Sequence, residues 1–194
     1  MELQHVNVKI FVDGELPVEP ARFIEVFHAW IRDSVLSELL VDVADYRHVP
    51  AGPGVLLIGH ESDYSMDHTD GRWGLRYNRK APLGGTNQDR FRQALGSAVN
   101  ACRLLEKQFA DEGPLTFSRS EFDLFINDRA FAPNTADTFA VCKPELETFL
   151  ADALGHNDFT LEHHADPRQR FGVTVTAAKP FDLAAILSAF RVSA

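Results

Sequence analysis

The side chains best suited to chemistry lie between Asp42 and Lys80, a stretch that holds three of the eight histidines in this 194-residue chain. His48, His60, Glu61, Asp63, Asp67, His68 and Asp70 fall there, followed by the basic run Arg72, Arg76, Arg79 and Lys80. Imidazoles and carboxylates together can hold a divalent metal, which would polarise a phosphoryl or carbonyl oxygen. His48, His60 and Asp63 are the ligand set this stretch offers. His48 and His60 approach each other if Tyr46 to Val49 pairs with Leu57 to His60 across the Pro50–Gly54 turn. The spacings match no HExxH or paired CxxC motif, since His60-Glu61 runs into Ser62-Asp63-Tyr64. Asp67 to Gly71 has a calcium-loop look but lacks the further oxygen ligands and the distal glutamate. The competing reading is a hydrated loop whose carboxylates accept backbone N–H bonds and fix turns.

The basic run points to different chemistry. On an extended strand Arg72, Gly74, Arg76 and Asn78 share one face, and Trp73, Leu75, Tyr77 and Arg79 share the other. Two guanidiniums with a glycine between them suit a carboxylate or phosphate, which guanidinium binds in bidentate fashion. Pro82 to Thr86 then leads into a helix N-terminus, whose free N–H groups also favour an anion. Against this, the arginines have many aspartates nearby with which to pair on a solvated sheet face.

Other chemistries are weakly supported. There is no GxSxG elbow, Cys102 falls on the apolar side of a long helix, and Cys142 reads as a capping or core residue. Two lone cysteines give no disulfide framework. His163-His164-Ala165-Asp166 forms a second histidine cluster, in which adjacent rings on a strand point to opposite faces. One of them meets His60 across a pseudo-twofold axis if the chain is duplicated. His28 reads as an exposed or edge residue. A formal charge of −9 and a pI near 5.3 make nucleic acid a poor partner. No apolar run reaches the roughly 18 residues of a membrane span, and the opening MELQHVNVKIF carries no basic leader. The expectation is a soluble, cytoplasmic protein.

The elements that must position these residues follow from periodicity. Val6 to Val12 alternates as a strand and stops at Asp13-Gly14. Phe23, Phe27, Trp30 and Ile31 recur at helical spacing after Pro20. A second strand starts near Leu39, Val55 to His60 is a buried strand, Glu61 to Gly71 is a polar loop, and Trp73 to Asn78 is the next strand. Thr86, with Asp89 three positions on, caps a helix whose apolar stripe runs from Phe91 to Phe109. Glu112-Gly113-Pro114 separates two units, 1–112 with an inserted hairpin segment and 113–194. The second has a strand at Glu121 to Asn127 and a helix from Pro133 that is interrupted at Pro144. Strands at Phe159 to His163 and Phe171 to Ala177 and a closing helix from Pro180 through Phe190 follow.

The two units share an element order and local residues. KIFVDG at Lys9 to Gly14 aligns with DLFIND at Asp123 to Asp128, and RWGLRYNRKAP at Arg72 to Pro82 with RFGVTVTAAKP at Arg170 to Pro180. The expected fold is α+β: duplicated ferredoxin-like (βαββα) units, with a largely antiparallel sheet and helices packed on one face. Element order of this kind does not fix function. The lack of an acid–base or nucleophile signature favours a non-catalytic binding or interaction protein, without a cofactor and plausibly a homodimer. It would take a small anionic molecule or a protein partner through Arg72, Arg76, His48 and His60, with Tyr77 and Asp63 in support. The alternative is a metal-assisted hydrolase that uses the His/Asp cluster of residues 48–70, with a divalent metal on His48, His60 and Asp63.

Overall fold

The strand VNVKIFV, β1 (Val6–Val12), is buried along all 7 residues, which a half-solvated strand could not be. It lies near the middle of a sheet that continues on both sides. The computed structural model describes residues 1–192. They form seven further strands: β2 (Leu40–Tyr46), β3 (Gly54–Gly59), β4 (Ser62–Asp67), β5 (Gly74–Arg79), β6 (Phe117–Ile126), β7 (Phe159–His163) and β8 (Phe171–Ala177). All pairings are antiparallel, and the order is β2-β3-β4-β5-β1-β6-β8-β7. The central contact is β1 with β6, so strands of the first half lie on one side of that seam and strands of the second half on the other.

Four helices complete the described residues: α1 (Arg22–Arg32), α2 (Asn87–Gln108), α3 (Ala136–Leu154) and α4 (Leu183–Val192). They cover the face formed by Val8, Ile10, Tyr77, Leu124 and Val173. Phe23 of α1 meets Phe109 at the end of α2, and Phe91 of α2 meets Phe149 of α3. The capping box at Thr86 forms as expected, with the Thr86 side chain accepting from the Asp89 N–H and Asp89 accepting from the Thr86 N–H at 2.8 Å. No helix among the described residues is long and apolar enough to cross a membrane.

Two elements differ from the sequence reading. The polar loop expected at Glu61 to Gly71 is largely β4, paired with β3 and β5. Tyr64 and Met66 turn into the core while Asp63, Ser65 and Asp67 turn to the opposite face. Strong polar residues on that second face mask an ordinary strand alternation. The helix expected to be interrupted at Pro144 and to resume from Glu145 to Leu154 instead runs unbroken as α3, held by Cys142, Leu146, Phe149 and Leu150 in the core. Burial of that stripe outweighs the backbone hydrogen bond that proline cannot make.

Pro144 is exposed, so its removal should expose the local cost. Pro144→Ala restores an amide hydrogen and removes a steric clash. Chemical denaturation should show a gain in unfolding free energy of about 1–2 kcal/mol. A loss of stability would mean that proline rigidity in the unfolded chain dominates.

Candidate functional site

On the face away from the helices, the strand registers line up one polar row across six strands: Ser65, Arg76, Lys9, Asp123, Thr174 and Glu162. Such a row is normally wet. Here Lys9, Ser65, Arg76 and Asp123 are buried. The connections after β4 and β7, including Thr69–Gly71 and Ala165–Arg170, rise over the row and leave a cleft of about 690 Å³ between them.

The floor of the cleft is ionic. Lys9 Nζ donates to Asp67 Oδ1 at 2.7 Å and to the Thr69 carbonyl at 3.0 Å, with the two side chains only 4% and 2% exposed. Asp67 also accepts from the Thr69 amide at Oδ1 and from the Thr69 hydroxyl at Oδ2. The stem of Lys9 crosses directly over Gly74, where a Cβ would lie 3.0 Å from Lys9 Cε and 2.7 Å from the Ile10 carbonyl oxygen. Gly74 therefore serves the lysine, not a ligand between Arg72 and Arg76. Gly172 does the same on β8, where a Cβ would stand 2.6 Å from the Phe125 ring and 2.9 Å from His164 Nδ1.

Phe125 gathers three nitrogen groups. The Arg76 and Arg170 guanidiniums lie 5.0 and 5.1 Å from its ring centre, and the His164 ring packs edge-on at 5.4 Å. Arg76 is buried, its Nη1 makes only a long ion pair with Asp67 Oδ2 at 3.7 Å, and its Nη2 has no hydrogen-bond partner among the described residues. Arg170 makes no hydrogen bond or ion pair with any described residue. Burial and the neighbouring Arg76 charge pull the Arg170 pKa down to about 10, and burial also lowers that of Arg76. Both cations are held where the protein stabilises them poorly. Beside them, Thr174 Oγ1 donates to Asp123 Oδ1 at 2.7 Å and contacts His164 Nε2 at 2.8 Å. Burial raises the Asp123 pKa.

The expected site residues separate. Arg72 and Arg76 do line one cleft, but Arg72 is committed to Glu121 at 2.7 Å and stacks on Phe11 at 3.7 Å. Tyr77 faces the core, where its hydroxyl accepts from Gln93 Nε2 at 2.7 Å. β2 pairs with β3 through Leu40–Gly59 and Tyr46–Gly54, which puts His48 and His60 at opposite ends of that hairpin, about 20 Å apart. His48 stacks on Tyr46, and Asp63 accepts from Lys80 Nζ at 2.7 Å. No group of three or more His, Cys, Asp or Glu side chains among the described residues is placed to hold a metal. His60 lies six strand positions from β7, so it does not meet His163 or His164. His163 turns to the helix face, stacked on Phe139 and bonded to Asn134.

Arg170, Phe125, Asp123 and Thr174 were absent from the expected site. The alignment of Arg170 with Arg72 and of Phe125 with Phe11 was the available signal, because each arginine stacks on the phenylalanine of its own half. The chain matches no protein-family model, no curated protein and no solved structure.

A testable consequence follows from the raised Asp123 pKa. A carboxyl group with a folded pKa above its unfolded value favours folding while protonated, and that contribution is lost as pH rises through the folded pKa. Asp123→Asn keeps an acceptor for Thr174 without the buried charge. The variant should match wild type below the ordinary carboxylate range and become more stable by about 1 kcal/mol as pH rises past it. Denaturation curves from pH 3 to 8 measure this, and an unchanged or inverted difference would contradict it.

Proposed function

We propose that the protein is a non-catalytic binding protein for a small oxyanion-bearing molecule, held in the open-face cleft by Arg76 and Arg170. One observation carries this reading: the buried Arg76 and half-buried Arg170 guanidiniums converge on Phe125, Arg76 Nη2 has no hydrogen-bond partner, and among the described residues the one ion pair either makes is a long contact of Arg76 Nη1 with Asp67 at 3.7 Å. Buried charges in a protein that serve only structure are paired. An incoming carboxylate, phosphate or sulfate would supply the missing acceptor and relieve their mutual repulsion. Of the other cations in the cleft, Lys9, Arg72 and Arg168 have carboxylate partners, and Arg129 donates to the Arg168 carbonyl at 2.7 Å.

We further read the chain as two ferredoxin-like units, the first enlarged by the β2–β3 hairpin, with the ligand on the seam between them. The paired Arg72–Phe11 and Arg170–Phe125 stacks support this, as does the match of β5-β4 beside β1 to β8-β7 beside β6. On this reading the two halves diverged at one point: Glu121 neutralises Arg72, and Arg170 was left open.

The reading separates ligand binding from architecture by the sign of one substitution. Arg170→Met removes a poorly stabilised charge and keeps a side chain that can cover Phe125. In anion-free buffer it should be more stable than wild type by about 1 kcal/mol. Wild type should gain about 2.7 kcal/mol at a ligand concentration 100 times Kd, and the variant should gain almost none. Thermal and chemical denaturation against sulfate, pyrophosphate and small dicarboxylates provides the measurement. A destabilised variant, together with a wild type indifferent to every anion, would make Arg170 structural.

A further inference from the structure

We propose that His164 is the third donor of this anion site and that it couples anion binding to uptake of a proton. The inference rests on the binding reading above and adds to it a residue and a regulatory property. Thr174 has a single hydroxyl hydrogen, and it is given to Asp123. The same oxygen can then only accept from His164 Nε2, which fixes the neutral ring as the Nε2–H tautomer. Nδ1 is left without a hydrogen-bond partner among the described residues. Protonation there creates a new N–H and a new positive charge beside the two guanidiniums, all three groups packed around one phenyl ring.

The surroundings of His164 hold this arrangement in place. Asp123 on β6 lies 3.7 Å from Nε2 and compensates the imidazolium from behind. Glu162 is the register partner of Thr174 on the same open face. From its own connection come Asp166, held at a pKa of about 2 by Arg168, and Arg170. Arg76 and Lys9 face it from β5 and β1. Asp123 is thus engaged with the Thr174 hydroxyl and Asp166 with Arg168, while Glu162 is exposed; Arg76 and Arg170, packed on the same phenyl ring, repel the protonated form of His164. A bound anion reverses that repulsion. Linkage then requires that binding favour the imidazolium and that the imidazolium favour binding in equal measure. Affinity should be higher at low pH than at high pH.

Sulfate is the suitable probe, because its charge does not change across that range. Calorimetric titration of the full chain at about pH 5.5 and pH 8 should give affinities that differ by about tenfold, tighter at the lower pH. His164→Gln keeps a donor toward Thr174 and should bind at the wild-type pH 8 affinity at both pH values. A nitrogen-15 spectrum of the wild-type imidazoles should show the His164 ring shifting toward its protonated form when sulfate is added at constant pH. Sulfate binding that is equal at both pH values, or pH dependence that survives His164→Gln, overturns the inference while leaving Arg76 and Arg170 as the anion site. Absence of sulfate binding at both pH values overturns the inference, and overturns the anion site as well when pyrophosphate and small dicarboxylates also fail to bind.

Discussion

The antiparallel pairing of β1 with β6 decides which side chains in this protein can meet, because it sets Lys9 beside Asp123 and Asn7 beside Phe125. Strand side chains alternate with period two, so a slip of one residue would carry Lys9 into the helix-covered core and Val8 into the cleft. The apolar residues forbid that slip: Val6, Val8 and Ile10 lie against Ile126, Leu124 and Phe122, all buried on the helix side. The hydrophobic face thus holds the polar face in register. Everything in the cleft depends on that constraint, including the placement of Phe125 between guanidiniums that come from opposite sides of the seam.

Charge burial on the open face would be hard to explain as a contribution to stability. A buried ion pair often does no better than an apolar pair of the same volume, and an unpaired buried charge does worse. Lys9–Asp67 is fully satisfied and forms a rigid floor. Arg76 has only a long contact with Asp67 and Arg170 has no ion pair among the described residues, and burial lowers the pKa of both. Such groups cost stability in the unliganded protein, and this cost is what supports the proposed anion site. The two halves show the contrast within one molecule, since Arg72 occupies the matching stack and is neutralised by Glu121.

Local patterns carried much of the fold. The stripe from Phe91 to Phe109 and the Thr86–Asp89 box specify α2 within one continuous segment, so neither depends on distant contacts. β4 was hidden because half of its alternation consists of Asp63, Ser65 and Asp67, residue types that also make loops. Only neighbouring strands on both sides, and the ammonium of Lys9 from 58 positions away, make Asp67 a buried residue of the open face. The histidines misled for a related reason: nearness in sequence across a hairpin turn was taken as nearness in space, and the actual register puts His48 and His60 at opposite ends.

The sequence by itself determined the element types apart from β4 and the continuity of α3, together with the antiparallel α+β character and the face on which Arg76 lies, since each follows from periodicity within a few residues. It also held the Arg72–Arg170 correspondence. Tertiary structure alone decided which arginine is free. Whether a guanidinium is neutralised depends on a carboxylate brought near by strand order, and Glu121 reaches Arg72 across 49 positions of chain. Interactions of that range are set by the register of a whole sheet, and no local spacing encodes them.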